Sequence, residues 1–197
     1  MRLIINFCDF ALAFIGLITC FPLILILVIL ILIEDFGSPV FVQARVGKDN
    51  KIFNIYKLRS MRLNQSGLLL STANDPRITT IGKFIRKYKL DETPQLINVL
   101  LGQMSFVGPR PEVEKYVSLY TTDQKKVLSV KPGITDYASI IFRNENYLLE
   151  LSSDPELTYI NTIVPRKIRL NMLWVNNYSI FTYFHCIFKT LQLLLFK

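Results

Sequence analysis

The 197-residue sequence predicts an α+β domain, mainly helical, held to a membrane by its first segment. Three observations carry that expectation. Residues 10–33 form an apolar run long enough to enter a bilayer. Residues 40–57 have β character on both sides of a polar turn, which reads as a short hairpin. The remainder divides into helical segments, the last of them strongly apolar. A hydrophobic share of 51% with one apolar end fits a single membrane-attached domain better than two soluble ones. The expected division is an anchor, residues 1–35, and a globular domain, residues 36–197.

The anchor exceeds the 7 to 15 residues usual for a signal-peptide core and is followed by no small-residue cleavage site, so it is expected to stay on the mature protein. Pro22 falls near its middle, where it removes a backbone donor and clashes with the preceding turn. A spanning helix with a tolerated proline and a hairpin-like re-entry are both compatible with that. Arg2 stands alone before the run, whereas Arg45, Lys48, Lys51, Lys57 and Arg59 follow it, so a span would put the N-terminus outside. As a straight helix, residues 4–33 would measure about 45 Å against a hydrocarbon core of about 30 Å. Broken at Pro22, each piece is too short to cross. Re-entry would keep Arg2 on the side of the basic domain and bring Asp9 back near the headgroups.

After the Gly37-Ser38-Pro39 turn, Val40 to Val46 is the first strand, Gly47 to Asn50 the turn and Lys51 to Lys57 the returning strand. Arg62 to Asn74 shows no clear period and reads as loop. Thr80 to Lys89 fits an amphipathic helix, with Ile81, Phe84, Ile85 and Tyr88 on one face and Lys83, Arg86, Lys87 and Lys89 on the other. Thr93 followed by Pro94 signals a helix start, with threonine as N-cap, and Gly102 its end. Asp91 and Glu92 would then sit just ahead of a helix N-terminus, whose dipole favours ionised carboxylates. A helix near Glu112 to Tyr120, a turn at Lys131-Pro132-Gly133, a helix from Pro165 to Asn176 and an interfacial helix from Ser179 to Lys197 complete the expectation.

Residues 1–33 hold only Arg2 and Asp9 as charged side chains, so the other 164 residues carry 22 basic and 14 acidic groups and the whole net charge of +8. Such a field attracts anionic headgroups, nucleotides or nucleic acid without separating them. Cys8, Cys20 and Cys186 form neither a disulfide framework nor a metal pattern and suit a reducing compartment. The sequence has no Walker A, GxGxxG, HExxH, DxD or GxSxG motif. Its single histidine, His185, lies in the final helix and reads as an interfacial residue rather than a base or ligand. Carboxylate chemistry remains.

The adjacent carboxylates Asp91 and Glu92 would ordinarily be a helix cap. Arg110, between Pro109 and Pro111, is restricted in backbone freedom and suits bidentate binding of phosphate oxygens; its plainer reading is a loop salt bridge. Lys57 and Arg59 leave the second strand two residues apart, on one face, either as an anion site or as a solvated edge.

Five motifs in order, Lys57-x-Arg59-Ser60-Met61, Asp75-Pro76-Arg77-Ile78-Thr79, Leu90-Asp91-Glu92-x-Pro94-Gln95-Leu96, Ser105 to Pro111 and Lys131-Pro132-Gly133-Ile134-Thr135, resemble the bacterial sugar transferases, the monotopic phosphoglycosyl transferases. The resemblance covers essentially the whole chain and corresponds to the small members made of the core domain alone. It implies a re-entrant helix broken at Pro22, Asp91 as a nucleophile on the β-phosphate of a UDP-sugar, and Glu92 as ligand of a Mg²⁺ cofactor. It implies phosphate-binding roles for Arg110, Arg86, Lys57 and Arg59. The phosphosugar would pass to polyprenyl phosphate, with release of UMP, at the cytoplasmic face of the bacterial inner membrane, starting a surface glycan. The implied partners are UDP-sugar, polyprenyl (undecaprenyl) phosphate, membrane lipid and downstream glycosyltransferases, with no nucleic acid. The chain departs from the family pattern twice. Phe21-Pro22 replaces Ser-Pro, which bears on the geometry of the break, and Asp136-Tyr137-Ala138-Ser139 replaces Gly-x-Ala-Gln, which bears on the identity of the sugar.

Two rivals come from other classes. A non-catalytic membrane-docking module that binds nucleotide-sugar or recruits glycosyltransferases is disfavoured by the intact Asp91-Glu92 pair. A nucleic-acid binder lacks the expected interleaving of aromatic and basic residues.

Overall fold

A computed structural model of the chain describes residues 1–62, 70–71 and 75–195, so most of the expected Arg62–Asn74 loop, together with Phe196 and Lys197, lies outside the described residues. The fold is mainly helical with a short antiparallel hairpin and a long apolar N-terminal helix. In chain order the elements are α1 (Arg2–Glu34), β1 (Val40–Val46), β2 (Ile52–Leu58), α2 (Thr80–Lys87), α3 (Gln95–Leu100), β3 (Ser105–Val107), α4 (Glu114–Val117), α5 (Thr122–Lys125), β4 (Gly133–Thr135), α6 (Tyr137–Ile141), α7 (Glu145–Glu150), α8 (Pro155–Thr158), α9 (Val164–Asn176) and α10 (Ile180–Leu195).

Helix α1 runs as one element through Pro22, where the sequence led us to expect two helices around a break. The ring costs the bond to the carbonyl four residues back, but apolar residues on both sides keep helical geometry. What the helix touches explains its course. Ile5, Asp9 and Ala13 are buried before the proline and Leu27 and Ile31 after it, four residues apart within each group and fourteen, close to four helical turns, between them, so one stripe faces the domain at both ends of the helix. Asp9 is buried within the protein. Its Oδ1 accepts from the Ser105 hydroxyl (3.0 Å), the Phe106 amide (2.9 Å) and the Tyr183 hydroxyl (2.8 Å), which joins α1 to β3 and α10. At the other end the Glu34 carboxylate accepts from the amides of Thr80 (2.6 Å) and Ile81 (2.9 Å) and so caps α2 together with Thr79. The opposite face, with Phe7, Phe10, Phe14, Ile18 and Phe21, is exposed.

The hairpin falls where its alternation places it, in a register from Val40 opposite Leu58 to Val46 opposite Ile52, with Asp49 and Asn50 left-handed in the turn. Asn98, fully buried, fastens α3 to β2: its Nδ2 donates to the Asn54 carbonyl (2.7 Å) and its Oδ1 accepts from the Tyr56 amide (3.2 Å). This brings the start of α3 against the strand that ends at Lys57 and Leu58.

Thr93 differs from its expected role. It is helical and its hydroxyl donates back to the Leu90 carbonyl at 2.8 Å, so it caps nothing ahead of it. Instead Lys89 turns left-handed (φ 57°), ends α2, and opens a 3₁₀ turn over Leu90–Glu92 that runs directly into α3. The two carboxylates are therefore inside a helical turn rather than before one. In α2, Ile85 is buried, but Phe84 and Tyr88 stay about half exposed with ring centroids 5.0 Å apart.

The sequence did not announce the second sheet. β3 and β4 pair in parallel, Ser105 with Gly133 and Val107 with Thr135, through three residues each. Gly133 begins this strand, where a turn was expected; a Cβ there would lie 2.1 Å from the Gly108 nitrogen, so the contact admits only glycine. The expected helix near Glu112 shortens to α4, because the Glu112 carbonyl accepts from the Val46 amide (2.8 Å) and holds that residue extended. Helix α9 matches its expectation to within a residue. α10 is more than an interfacial helix: Tyr183 and Cys186 are fully buried with Ile5, Val107 and Trp174 in one core cluster.

Candidate active site

Asp91 and Glu92 lie on the floor of an open cleft of 1030 Å³, which also takes in Lys57, Arg86 and Arg110. Both carboxylates are nearly buried. The Glu92 carboxylate is gripped by Arg110, whose Nη2 donates to Oε1 while Nη1 stands 3.4 Å from Oε2, and by Lys57, whose Nζ is 3.7 Å from Oε1. Asp91 has no comparable grip. Its Oδ1 is buried and has no hydrogen-bond partner among the described residues.

This difference in partners separates two neighbouring carboxylates. Burial alone would raise the Glu92 carboxyl, but the cations of Arg110 and Lys57 outweigh it and hold the group well below the usual carboxylate range. Burial and the charge on Glu92 both raise Asp91, with Lys57, Lys89 and Arg86 offsetting part of the effect. The helix dipole was expected to favour ionisation of both; desolvation and like charge work against it at Asp91, which leaves a more basic carboxylate with free lone pairs. Lys57 is itself pushed down by burial to about 8, against the pull of Glu92.

Arg110 is placed by its backbone. Its amide donates to Asp136 Oδ2 (2.9 Å), and the Pro111 carbonyl accepts from Arg45 (3.2 Å). The Pro109 carbonyl accepts from the Gly133 amide (3.1 Å). Asp136 also accepts from Asn171 Nδ2 (3.1 Å) and, at Oδ1, from the Ser139 amide, which caps α6. Buried to 2% exposure, it ties the arginine loop to α6 and α9. Sequence reading noticed Asp136 only as a departure from a pattern; an acidic residue three ahead of Ser139 was a legible cap, but its hold on Arg110 joins positions 26 apart.

The four cations expected to bind phosphate do not share one role. Lys57 and Arg110 converge on Glu92. Arg86 lines the cleft and donates to the Ser71 hydroxyl at 2.7 Å. Arg59 also lines the cleft, but it is only 4% exposed, donates to the Asp35 carbonyl and stands 3.7 Å from the Asp35 carboxylate just past the end of α1. A second polar cluster escaped sequence reading. Tyr159 donates to Glu112, Arg45 lies 3.6 Å from the same carboxylate, and Lys167 donates to Glu145 at 3.0 Å, all on the cleft wall. Its members come from β1, α7, α9 and the loops between, so no local signal could have assembled them. His185 is stacked near Tyr137 and Phe181 and does not line the cleft.

No group of three or more His, Cys, Asp or Glu residues suited to a metal occurs among the described residues. The adjacent carboxylates, one with an unpartnered oxygen, still suit a hard divalent cation of the Mg²⁺ kind. Such an ion takes one or two protein carboxylates and completes its shell from water and substrate phosphates.

The site is thus a nearly buried carboxylate pair flanked by cations and open to a cleft, an arrangement chemically suited to binding phosphate groups. The chain belongs to the bacterial sugar transferase family, whose model it matches over residues 1–197. It is 37% identical over 203 residues to the galactosyl transferase CpsE of Streptococcus agalactiae serotype III (strain NEM316), an alignment covering 96% of this chain and 42% of that protein. It is 40% identical over 152 residues to the UDP-glucose:undecaprenyl-phosphate glucose-1-phosphate transferase of Escherichia coli (strain K12), covering 72% and 32%. With the putative undecaprenyl-phosphate N-acetylgalactosaminyl 1-phosphate transferase of Bacillus subtilis (strain 168) it shares 49% over 106 residues, covering 53% and 59%. In each case the alignment spans less than two thirds of the relative.

Proposed function

We propose that this chain transfers a sugar 1-phosphate from a UDP-sugar to polyprenyl phosphate, undecaprenyl phosphate in particular, at the cytoplasmic face of the bacterial inner membrane. The observation that carries the reading is the asymmetry of the carboxylate pair: Glu92 is neutralised by Arg110 and Lys57, while Asp91 keeps an unpartnered, more basic oxygen. In the first half of the reaction the Asp91 carboxylate, which borders the cleft, attacks the β-phosphorus of the UDP-sugar. The bond from this phosphorus to the oxygen bridging the two phosphates breaks, and UMP leaves with the electron pair. In the second half, an oxygen of polyprenyl phosphate attacks the same phosphorus and expels Asp91 as its free carboxylate. Arg110 and Arg86 face the cleft as donors for the charge that develops on the phosphate oxygens. Glu92, with Asp91 beside it, would hold Mg²⁺, which when bound supplies charge neutralisation on the diphosphate. Glycosyltransferases that extend the product are the expected downstream partners.

We infer that α1 enters one leaflet without crossing the bilayer, with both its ends on the cytoplasmic side. α1 meets the domain on both sides of Pro22, through Ile5 and Asp9 near one end and Ile31 and Glu34 near the other. A helix of about 50 Å cannot cross a bilayer while both its ends rest on one cytoplasmic domain. In a variant lacking the native cysteines, Arg2→Cys should resist membrane-impermeant thiol reagents in intact cells and react after lysis; labelling in intact cells would establish a span.

The test of the chemistry is mass spectrometry. Incubation with UDP-sugar and no acceptor should release UMP and leave a phosphosugar on a peptide containing Asp91. Asp91→Asn should abolish both, Glu92→Gln should lower turnover severely, and EDTA should stop the reaction until Mg²⁺ is restored. An active protein that forms no adduct and requires both substrates together would overturn the covalent route. A non-catalytic docking module would release no UMP at all.

A further inference from the structure

The inner stripe of α10 begins in the core and finishes outside it. Tyr183 and Cys186 are fully buried, but further along the same face Thr190, Leu193 and Leu194 line the cleft instead, and Leu194 is 39% exposed. Facing them on the cleft wall are Phe106, Ile134 and Ile140, from β3, β4 and α6. Thr190 donates to the Cys186 carbonyl (2.9 Å), and the Thr135 and Thr190 hydroxyls are 2.7 Å apart, so these two hydroxyls are engaged with the backbone and each other, whereas Ser139 Oγ on α6 is buried without a partner among the described residues. The outer face of α10, with Phe181, Phe184, Phe188 and Leu191, is apolar and exposed in its own right. One cleft thus has a charged floor at Asp91 and Arg110 and an apolar arm that opens beside a lipid-compatible helix face.

We propose that this arm, between the Thr190–Leu194 segment of α10 and the Phe106, Ile134 and Ile140 wall, seats the first isoprenoid units of the acceptor. Its phosphate would point to Asp91 and the rest of its chain would leave along α10 into the bilayer. The occupant follows from continuity: an apolar groove that joins an anion-handling floor without a boundary fits a molecule that is an anion at one end and a hydrocarbon at the other. The inference rests on the acceptor being a lipid phosphate, as proposed above, and adds where its chain lies.

The experiment uses the full chain in detergent or nanodiscs and compares acceptors of different chain length, geranyl phosphate and undecaprenyl phosphate, at fixed UDP-sugar. Leu193→Ser and Leu194→Ser together should lower kcat/KM by about tenfold for geranyl phosphate and undecaprenyl phosphate alike, as expected from the loss of apolar contact between two leucines and the first isoprene units that both acceptors share. An unchanged kcat/KM for geranyl phosphate overturns the proposal. Should the double variant fail to fold, the unaltered protein decides: a prenyl phosphate carrying a diazirine on its second isoprene unit should label a peptide containing residues 190–194. Labelling confined to α1 overturns it. Failure of the underlying reading is a different result, namely no UMP release with any acceptor.

Discussion

Replacing Asp136 by Asn keeps size and shape and removes one acceptor from a nearly sealed site. In the native protein Oδ2 accepts from the Arg110 amide (2.9 Å) and Asn171 Nδ2 (3.1 Å), and Oδ1 accepts from the Ser139 amide. Asparagine offers one oxygen and one NH₂ group. With its oxygen toward Arg110, the NH₂ confronts the Ser139 amide and uncaps α6. With its oxygen toward Ser139, the NH₂ confronts the Arg110 amide, but Asn171 can turn its side chain over and accept, because its own Oδ1 has no partner. The second arrangement sacrifices less and should be adopted, so the loss falls on Arg110. One charge-assisted bond is worth about 1.5–3 kcal/mol, and a buried donor left unsatisfied costs about 1–3 kcal/mol. The turned Asn171 recovers part of this, leaving about 3 kcal/mol, which in a chain of this size lowers Tm by roughly 6–12 °C. Thermal melts followed by circular dichroism, with UMP-release kinetics on the same samples, check both consequences: reduced stability and a raised KM for UDP-sugar as the Arg110 loop loosens. A melt within 2 °C and kcat/KM within about twofold of wild type would refute the account. Loss of stability with unchanged kinetics would reduce Asp136 to a helix cap.

Arg110→Lys should lower kcat/KM by about 10- to 100-fold in the same assay despite keeping the charge, because a lysine loses one of the two donors directed at Glu92 and cannot grip two phosphate oxygens in a plane; near wild-type kinetics would make Arg110 a loop residue. Lys57, pushed down to about 8 from 10.5, should impose a fall in kcat/KM as pH rises through about 8, and Lys57→Arg should remove that limb from the profile. The stability consequence has the opposite sign: between about 8 and 10.5 the unfolded chain binds the proton that the folded one has lost, so Lys57 makes the protein more stable as pH rises through that window, which urea titrations at several pH values would register. Gly133→Ala should prevent folding or cost several kcal/mol, since its Cβ would lie 2.1 Å from the Gly108 nitrogen, whereas Gly102→Ala, at φ +72° but with no atom nearer than 3.9 Å, should cost about 1 kcal/mol. Expression and melting of the pair check the contrast.

Local pattern carried much of this protein. Alternation set the hairpin to within a residue, helical spacing set α9, and the apolar runs set α1 and α10, because each signal is complete within a few neighbouring residues. The adjacency of Asp91 and Glu92 and the proline-clamped Arg110 were equally legible, and the ordered motifs around them pointed to the family the chain belongs to. Tertiary structure decided what those residues became. Arg59 shares the cleft with Lys57 but is tied to Asp35 by the end of α1, and Asp9 is held inside the protein by three donors from β3 and α10. Pro22 read as a break, yet contacts on both sides of it hold one helix. The three-residue strands β3 and β4 are too short to announce themselves and exist because Gly108 and Gly133 let two backbones touch. The division of labour between the two carboxylates is the deepest of these decisions. Asp91 and Glu92 are adjacent in the chain and chemically alike, and only the folded positions of Lys57 and Arg110, 34 residues before the pair and 18 after, make one of them a neutralised partner and the other a free base.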